Sequence, residues 1–344
     1  MTRPRTNLLS RRGAIGAALA GLMAFQLPAP VAAQAGDAAE FYDGRTVRLI
    51  IPRSPGGGVD WYGRTVARFM EQHMPGTRVT PVNVPGGGGV IGDNRAFLSD
   101  PDGLTVWLTI FPGHVLAQLT GQEGVQYDFT QWEWIGRIGD DTPVVSTSTR
   151  HPWERFDDLA SATEEVRLGS LGAGSHATYA LRLISRSFDF PSRLVVGYPG
   201  TPEANAALMR GEVDIRYQSM TVTLPMVEEG EFRMLAVLSD ERHPEAPDLP
   251  TLVELAPTEE AAELLAAFAA LYQLERVFAA PPGTPADRVE YLREAFMAAA
   301  TDPEFLALAE QSGRPVNPLA GAQVADLAAR LADGADRLVS MIAE

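Results

Sequence analysis

The chain has 344 residues, which is long enough for two domains that each have a hydrophobic core. Hydrophobic residues make up 45% of the chain, which excludes a disordered protein. It contains no cysteine and no lysine, so disulfides, thiolate metal sites, cysteine nucleophiles, lipoprotein anchors, Schiff-base chemistry and a P-loop lysine are excluded. The net charge of −16 argues against nucleic acid as a partner, whereas a small anion responds to the local charge of its own cleft.

Residues 1–35 have the organisation of an export signal. Four arginines and no acids precede an apolar stretch over 14–27, which is too short to span a membrane. Ala33-Gln34-Ala35 matches a small-residue cleavage site. The pair Arg11-Arg12 resembles a twin-arginine signal, and an ordinary Sec signal that carries two arginines is the alternative. The sequence therefore predicts a periplasmic protein that is cleaved near Ala35.

The first half of the mature chain alternates strand and helix patterns. We expect a helix over residues 61–72, with Asp60 as its N-cap. The β-α-β-α-β order predicts a parallel sheet covered by helices. The predicted strands are 47–51, 79–84 and 105–110, and the second helix is 91–98.

A second α/β series follows, so the sequence predicts an α/β fold of two lobes, each a mainly parallel sheet flanked by helices. A cleft between the lobes is where such folds bind ligands. We place lobe 1 at residues 36–145 and 240–344, and lobe 2 at residues 146–239. The predicted strands are 166–170, 194–198, 213–217, 234–238 and 278–280, and the helices are 176–187, 202–210, 254–271, 285–301, 303–312 and 321–343.

Three loops share one design, because each follows a strand, is rich in glycine or serine, and opens a helix. They cover residues 52–60, 170–176 and 198–201. Glycine lets the backbone approach a ligand closely, and the following helix directs free N–H groups and its positive dipole end at the loop. The three loops predict a neutral cradle for an anion such as a carboxylate. The alternative is that they are ordinary tight turns between strand and helix.

A fourth loop, residues 85–92, contains the pattern G-x-G-x-x-G between a strand and a helix. A dinucleotide site also needs an acid near the end of the next strand, and residues 110–113 contain none. We therefore expect no dinucleotide cofactor and, more generally, no cofactor.

Catalytic and metal signatures are missing from the sequence. No G-x-S-x-G elbow occurs, so Ser175 beside His176 is no nucleophile elbow, and the five histidines lack the spacing of zinc ligands. His176 is instead predicted in the first turn of a helix near the cleft. Asp140 and Asp141 could form a carboxylate pair, but a solvated turn is the favoured interpretation. We expect neither catalytic residues nor a metal.

Several sequence blocks along the mature chain carry a family resemblance. They are Ile50-Ile51-Pro52 with residues 55–60 and Arg64, residues 83–92, residues 101–105, residues 172–176, residues 197–200, residues 211–214, residues 235–237, residues 249–251 and residues 280–285. In this order and spacing they resemble the substrate-binding receptors of tripartite tricarboxylate transporters, also called the Bug family.

The resemblance implies a two-lobed, Venus-flytrap protein of the type II periplasmic-binding-protein fold, without enzymatic activity and monomeric. It implies that a small organic anion, a carboxylate, is passed to a small and a large membrane subunit, and that the lobes close on it by hinge motion. The ligand would lie between the first loop of one lobe and the Gly-Ser loop of the other. The candidate ligand residues are Ser54, Pro55, Gly56, Gly57, Gly58, Asp60, Trp61, His114, Gly174, Ser175, His176, Tyr198, Gly200, Thr201 and Gln218.

Three candidates depart from the family pattern or have an alternative. Gln218 stands where many relatives carry Asp, which favours plain carboxylates over amino acids because no carboxylate is left to hold an ammonium group. Trp61 could line the cleft and favour an aromatic or longer apolar ligand, or it could pack between helix and sheet. His114 follows a strand end and could border the cleft, or it could be a surface loop histidine.

Two other functional classes remain open from the sequence. The same binding protein could serve a membrane sensor kinase instead of a transporter, and neighbouring genes would separate these two roles. An enzyme on this scaffold would need a nucleophile, base or metal cluster that the sequence does not contain.

Overall fold

The structure is a computed structural model that describes residues 35–342. The export signal predicted for residues 1–35 lies outside the described residues except for Ala35, where the first helix begins. Among the helices that are described, none combines the length and the apolar character needed to cross a bilayer.

Strands and helices alternate along most of the described chain. The strands are β1 (Thr46–Ile51), β2 (Arg78–Asn83), β3 (Thr105–Ile110), β4 (Glu133–Gly139), β5 (Pro143–Ser148), β6 (Val166–Gly169), β7 (Ser192–Val195), β8 (Ile215–Ser219), β9 (Phe232–Val237), β10 (Arg276–Ala280) and β11 (Leu319–Ala320). The helices are α1 (Ala35–Tyr42), α2 (Gly58–Gln72), α3 (Val90–Phe97), α4 (Phe111–Leu119), α5 (Phe156–Ala160), α6 (His176–Ser187), α7 (Thr201–Met209), α8 (Met220–Glu228), α9 (Glu259–Ala270), α10 (Ala286–Ala300), α11 (Pro303–Gln311) and α12 (Gly321–Ile342).

The strands form two mixed sheets, one in each lobe of an α/β fold. The first sheet has the order β11-β4-β10-β3-β1-β2 and the second has the order β7-β6-β8-β5-β9. The βαβ strands pair in parallel, β1 with β2 and β3, and β6 with β7 and β8. The predicted α/β fold of two lobes, each with a mainly parallel sheet, is confirmed. Strand β10 lies antiparallel between β3 and β4, and β5 lies antiparallel between β8 and β9, so β4 runs parallel to β3 and β9 runs parallel to β8. Strands β5 and β10 are the first strands that the chain forms after it crosses from one sheet to the other, so no crossover helix within the same sheet imposes a parallel direction on them.

The chain passes between the two sheets more than once. It leaves the first sheet after β4, enters the second at β5, and returns to the first at β10. Helix α9 precedes that return, and its Leu265 and Phe268 pack in the same hydrophobic cluster as β6 and β8. The residue-level lobe boundaries of the sequence analysis stay a prediction.

Apolar clusters on both faces of the first sheet hold its central strands in place. Strand β3 is buried at every position because helices cover both of its faces. On one face Trp107 stacks on Trp132 with ring centroids 4.1 Å apart, and on the other Phe69 meets Phe305 edge to face at 5.4 Å. Burying a phenylalanine side chain stabilises the fold by about 1.5–3 kcal/mol. The strands therefore give rigid support to the loops at their carboxyl ends.

Several local features differ from the predictions made from the sequence, and others were not predicted. Helix α2 begins at Gly58 with Gly57 as its N-cap, so Asp60 is not the cap residue. Strands β4 and β5 and helices α4 and α8 were not predicted. Helix α4 directly follows β3 and tolerates Pro112 because the first helical turn needs no donor there.

The expected solvated turn at Asp140 and Asp141 is wrong for Asp141. This carboxylate is buried and lies 3.2 Å from the Arg276 guanidinium. Asp140 is more exposed and pairs with Arg137 and Asn317 at the end of β4. The local sequence around Asp141 was misleading because its partner, Arg276, lies on a strand more than a hundred residues further along the chain.

Candidate functional site

The loop between β1 and α2 forms the lobe 1 wall of a small pocket between the lobes. Ser54, Gly57 and Gly58 line this pocket. The first N–H groups of an α-helix have no partner within the helix and carry its positive dipole end. The Asp60 carboxylate accepts a hydrogen bond from the Gly56 N–H at 2.9 Å and another from Asn83 at 2.8 Å. Asp60 therefore holds the loop in shape from behind and does not line the pocket.

Two further helices begin at the same pocket, from lobe 2. Helix α6 starts at His176 and α7 starts at Thr201, and both residues line the pocket. Ser175 is the N-cap of α6, and its hydroxyl accepts from the Thr178 N–H at 3.2 Å and bonds the Ser170 hydroxyl at 2.8 Å. Three helix N-termini thus converge on one small space, an arrangement that favours a negative charge.

Glycines let the two lobes approach backbone to backbone beside the pocket. A Cβ atom on Gly88 of lobe 1 would lie 2.4 Å from the Ser175 nitrogen of lobe 2, and one on Gly172 would lie 2.3 Å from the Gly88 nitrogen. On the other side a Cβ on Gly200 would lie 1.7 Å from the Ser54 hydroxyl oxygen. These contacts bring the two lobes together beside the pocket. The space that they leave, about 40 Å³, is little larger than a water molecule, so it has to widen to hold a larger ligand.

Three buried arginines surround this pocket. Arg53 and Arg276 line it, and Arg216 lies behind Gln218, which lines it from lobe 2. Burial lowers the pKa of Arg53. Burial also lowers the pKa of Arg216 to about 10, which leaves Arg216 protonated at neutral pH. The pocket therefore has a positive interior although the whole chain is strongly acidic.

Arg276 has two acidic neighbours. It lies 3.2 Å from Asp141 and 2.9 Å from Glu275, and its guanidinium carbon is 4.5 Å from the centre of the Tyr62 ring. Burial, opposed by Arg276 and reinforced by Asp141, raises the pKa of Glu275 to about 8. Two carboxylates compete for one guanidinium, and the Asp141 contact is the one with hydrogen-bond geometry. Glu275 is therefore protonated and uncharged at neutral pH, so of its two acidic neighbours Arg276 forms an ion pair with Asp141 alone.

The positive charge of the three arginines also affects the pKa of His176. Burial and the neighbouring Arg53, Arg216 and Arg276 lower the pKa of His176 to about 3, so its imidazole is neutral. Its Nδ1 has no hydrogen-bond partner among the described residues. Within the described part of the chain, no cluster of three histidine, aspartate or glutamate residues could hold a metal ion.

A larger cavity of about 700 Å³ lies close to the crossing between the sheets. The residues that line it include the acidic Asp140, Asp240, Glu245 and Glu310 and one arginine, Arg314. An anion in this cavity would face several carboxylates, which repel it. We therefore assign the candidate anion site to the smaller pocket among the helix N-termini.

The structure brings six of the sequence-predicted candidates to the pocket wall. They are Ser54, Gly57, Gly58, His176, Thr201 and Gln218. Three other candidates lie beside the pocket without lining it. Gly174 and Gly200 allow the lobes to approach each other closely, and Ser175 caps α6. Pro55 and Gly56 are exposed, and Tyr198 packs partly buried beside α7.

Two candidates lie away from the pocket. Trp61 packs on the core of lobe 1, edge to face with Tyr62, which was the alternative for this residue. His114 is neither at the pocket nor on the surface, because helix α4 turns it into the core. Its Nε2 accepts from the Trp132 indole at 2.8 Å, so its Nδ1 donates to Asp93 at 3.2 Å. Burial lowers the pKa of His114, and the neutral ring completes a structural network.

The comparisons with known proteins agree on one family. The profile described as "Tripartite tricarboxylate transporter family receptor" matches residues 63–343. A UPF0065 protein of Bordetella pertussis is 26% identical over 285 residues, which cover 81% of this chain and 84% of the relative.

Two solved structures share the fold. The periplasmic binding protein BugD has a TM-score of 0.71 at 24% identity, covering 86% of this chain and 98% of its own. MatC from Rhodopseudomonas palustris, solved with bound malate, has a TM-score of 0.72 at 22% identity, covering 86% and 99%. With the family profile extending over most of the chain, this protein belongs to the tripartite tricarboxylate transporter receptor family.

Proposed function

We propose that this protein is a periplasmic solute-binding protein that captures a small carboxylate for the membrane subunits of a tripartite tricarboxylate-type transporter. One observation carries the proposal: three helix N-termini and three buried arginines surround one small pocket between the lobes. Helix N-termini and guanidinium groups both attract anions. Both act on charge, and together they stabilise a negative group that has been removed from water.

Binding and closure are coupled in this arrangement. Lobe 1 contributes Arg53, Arg276 and the start of α2, and lobe 2 contributes His176 and Thr201 at the starts of α6 and α7. A carboxylate that contacts both walls gains its full set of hydrogen bonds only when the lobes are closed. Differential affinity of this kind shifts the population toward the closed form. The closed form is then the state that the membrane subunits would recognise.

The family and the fold support the cellular role. The matching family profile describes receptors of tripartite transporters, and MatC holds malate, a dicarboxylate, on the same fold. The basic and apolar N-terminal residues fit export to the periplasm. A binding protein with a monomeric two-lobed body needs no second copy to complete the pocket, because both walls come from one chain.

Thermal unfolding of the purified protein against a panel of acids tests the proposal. The panel holds mono-, di- and tricarboxylates, aromatic acids and amino acids, and each compound is recovered afterwards by mass spectrometry. A native-state ligand at a hundredfold excess over its Kd adds about 2.7 kcal/mol of stability, so one class of carboxylate should raise the Tm and be recovered unchanged. If no carboxylate raises the Tm, or if a compound is consumed, the proposed function is wrong.

A further inference from the structure

The side-chain amide of Gln218 has a fixed orientation. Its Oε1 accepts a hydrogen bond from Arg216 Nη2 at 3.2 Å, and a guanidinium can only donate. Its Nε2 lies 3.2 Å from Thr223 Oγ1, whose own hydrogen is donated to the Ser219 carbonyl at 3.0 Å. The Thr223 oxygen must therefore accept from Gln218. Both neighbours impose the same orientation, so the carbonyl oxygen of Gln218 faces the Arg216 guanidinium and its N–H groups face away from Arg216.

This orientation makes Gln218 a hydrogen-bond donor in the pocket. Gln218 lines the pocket, and one of its two N–H bonds is left after the contact with Thr223. A donor suits a carboxylate and gives nothing to an ammonium group, which requires an acceptor. The bond from the charged guanidinium polarises the amide and strengthens its remaining N–H as a donor.

Arg216 is a buried charge without an acidic partner among the described residues. It is 2% exposed, and its Nε and Nη1 have no hydrogen-bond partner in the part of the chain that is described. Ser146, directly opposite on β5, is buried with its hydroxyl oxygen equally unpartnered. Arg276 by contrast contacts Asp141 and Glu275. A buried cation is costly unless an anion compensates it, and the pocket lined by Gln218, the hydrogen-bond partner of Arg216, offers a place for an anion.

We propose that Arg216 and Gln218 form the lobe 2 subsite for a second carboxylate, so that the ligand is a dicarboxylate without an ammonium group. This inference rests on the proposed function and specifies its substrate class. One carboxylate contacts the lobe 1 wall, where Arg53, Arg276 and the start of α2 lie. The other accepts a hydrogen bond from Gln218 and is stabilised by the Arg216 charge behind it. A dianion of this kind bridges the lobes.

Calorimetric titration with chain-length-matched acids tests the inference. Pairs of mono- and dicarboxylates with three to six carbons, such as butyrate with succinate, isolate the second carboxylate, and aspartate adds an ammonium group to succinate. The wild-type protein should prefer the dicarboxylate in at least one pair and should bind aspartate much more weakly. Arg216→Met should weaken binding of that dicarboxylate by about thirtyfold or more, as expected for loss of one partner of a buried charge pair, and change the monocarboxylate little.

Two further variants keep the test decisive. Arg210→Met removes an exposed arginine of the same lobe, with its side chain 57% exposed, and should leave all affinities unchanged. Gln218→Glu introduces an acceptor that pairs with Arg216, so it should weaken succinate binding and improve aspartate binding. The gain in aspartate binding tests the inference even if the Arg216→Met variant does not fold.

The outcomes separate this inference from the proposed function. If wild-type protein binds no carboxylate, the proposed function itself fails. If it binds mono- and dicarboxylates equally well, or if Arg216→Met weakens both members of a pair by the same factor or not at all, the second-carboxylate subsite is wrong. Equal loss of succinate and aspartate binding in Gln218→Glu would likewise contradict the donor role of Gln218.

Discussion

Arg276 and Arg216 are two buried arginines on opposite sides of one pocket, and their surroundings differ. Arg276, in lobe 1, contacts Asp141, Glu275 and the Tyr62 ring. Arg216, in lobe 2, contacts the neutral amide of Gln218, and no salt bridge reaches it from the described residues. The first is compensated within the fold, whereas the second has its charge available to a ligand.

The difference separates a structural charge from a functional one. A compensated ion pair is part of the fold, and removing one member leaves the other buried and unpaired. An uncompensated cation lowers the stability of the ligand-free protein and is stabilised when an anion arrives. The same residue type can therefore have opposite effects on stability at two places that are close together.

The largest expected effect is on stability, from replacing each arginine by methionine. Arg276→Met leaves the Asp141 carboxylate buried and uncompensated and should lower the free energy of unfolding by about 3–5 kcal/mol. Arg216→Met removes an unpaired buried charge and should leave the ligand-free stability unchanged or raise it. Denaturant unfolding of both variants measures the difference. Equal losses of stability would show that the two arginines have the same role.

Closure of the lobes gives the second effect. Gly88 has a φ of 75°, and a Cβ atom there would also lie 2.4 Å from the Ser175 nitrogen across the cleft. Gly230 has the same φ of 75° but open space around it, so it is a matched control. Both alanine variants should lose about 1–2 kcal/mol of stability from backbone strain.

Only Gly88→Ala should also prevent full closure and weaken ligand binding, by about tenfold or more. Calorimetric titration of both variants with the same carboxylate measures this. Equal affinities in Gly88→Ala and Gly230→Ala would mean that the backbone contact between the lobes does not contribute to binding.

A third effect is the pH dependence of stability, which comes from the lobe 1 arginine site. Burial raises the pKa of Glu275 from 4.5 to about 8, so the folded protein holds a proton that the unfolded chain releases. Its contribution to stability is complete below pH 4.5 and is lost as the pH rises to about 8. Glu275→Gln, which stays neutral, should lose less stability between pH 5 and pH 8 than the wild type. Parallel Tm curves for the two proteins would contradict the raised pKa.

The smallest expected effect concerns His176, which lies among the three arginines. Because its pKa is lowered to about 3, its charge should not change between pH 5 and pH 8. The affinity for a carboxylate with no pKa in that range should therefore show no step near the ordinary histidine value. A step in the wild-type affinity that disappears in His176→Gln would show that the imidazole titrates and that the local potential is less positive.

The sequence predicts the parts of the site that depend on local pattern. Glycine-rich loops before helices identified Gly57, Gly58, His176 and Thr201, because helix starts and tight turns are encoded by neighbouring residues. Gln218 was found through its departure from the pattern of the family. Its role as a donor could not be predicted, because the orientation of its amide depends on Arg216 and on a hydroxyl from the next helix.

The charged residues of the site escaped the sequence analysis because their burial is decided by tertiary packing. Asp141 and Arg276 come from distant parts of the chain and meet only where β10 returns to the first sheet. One signal was available: Arg216 and Gln218 alternate with apolar residues in β8, which places both on one face of a strand. The same limit explains His114, since the helix that turns it inward was not predicted.

A crystal structure of the protein with the acid that raises its Tm most is the most direct test. We expect one carboxylate within hydrogen-bond distance of the N–H groups at the start of α2 and a second on the Gln218 amide, between closed lobes. A ligand in the larger cavity lined by Asp140, Asp240 and Glu310 would contradict the assignment of the anion site, and a single carboxylate that does not contact Gln218 would contradict the second subsite.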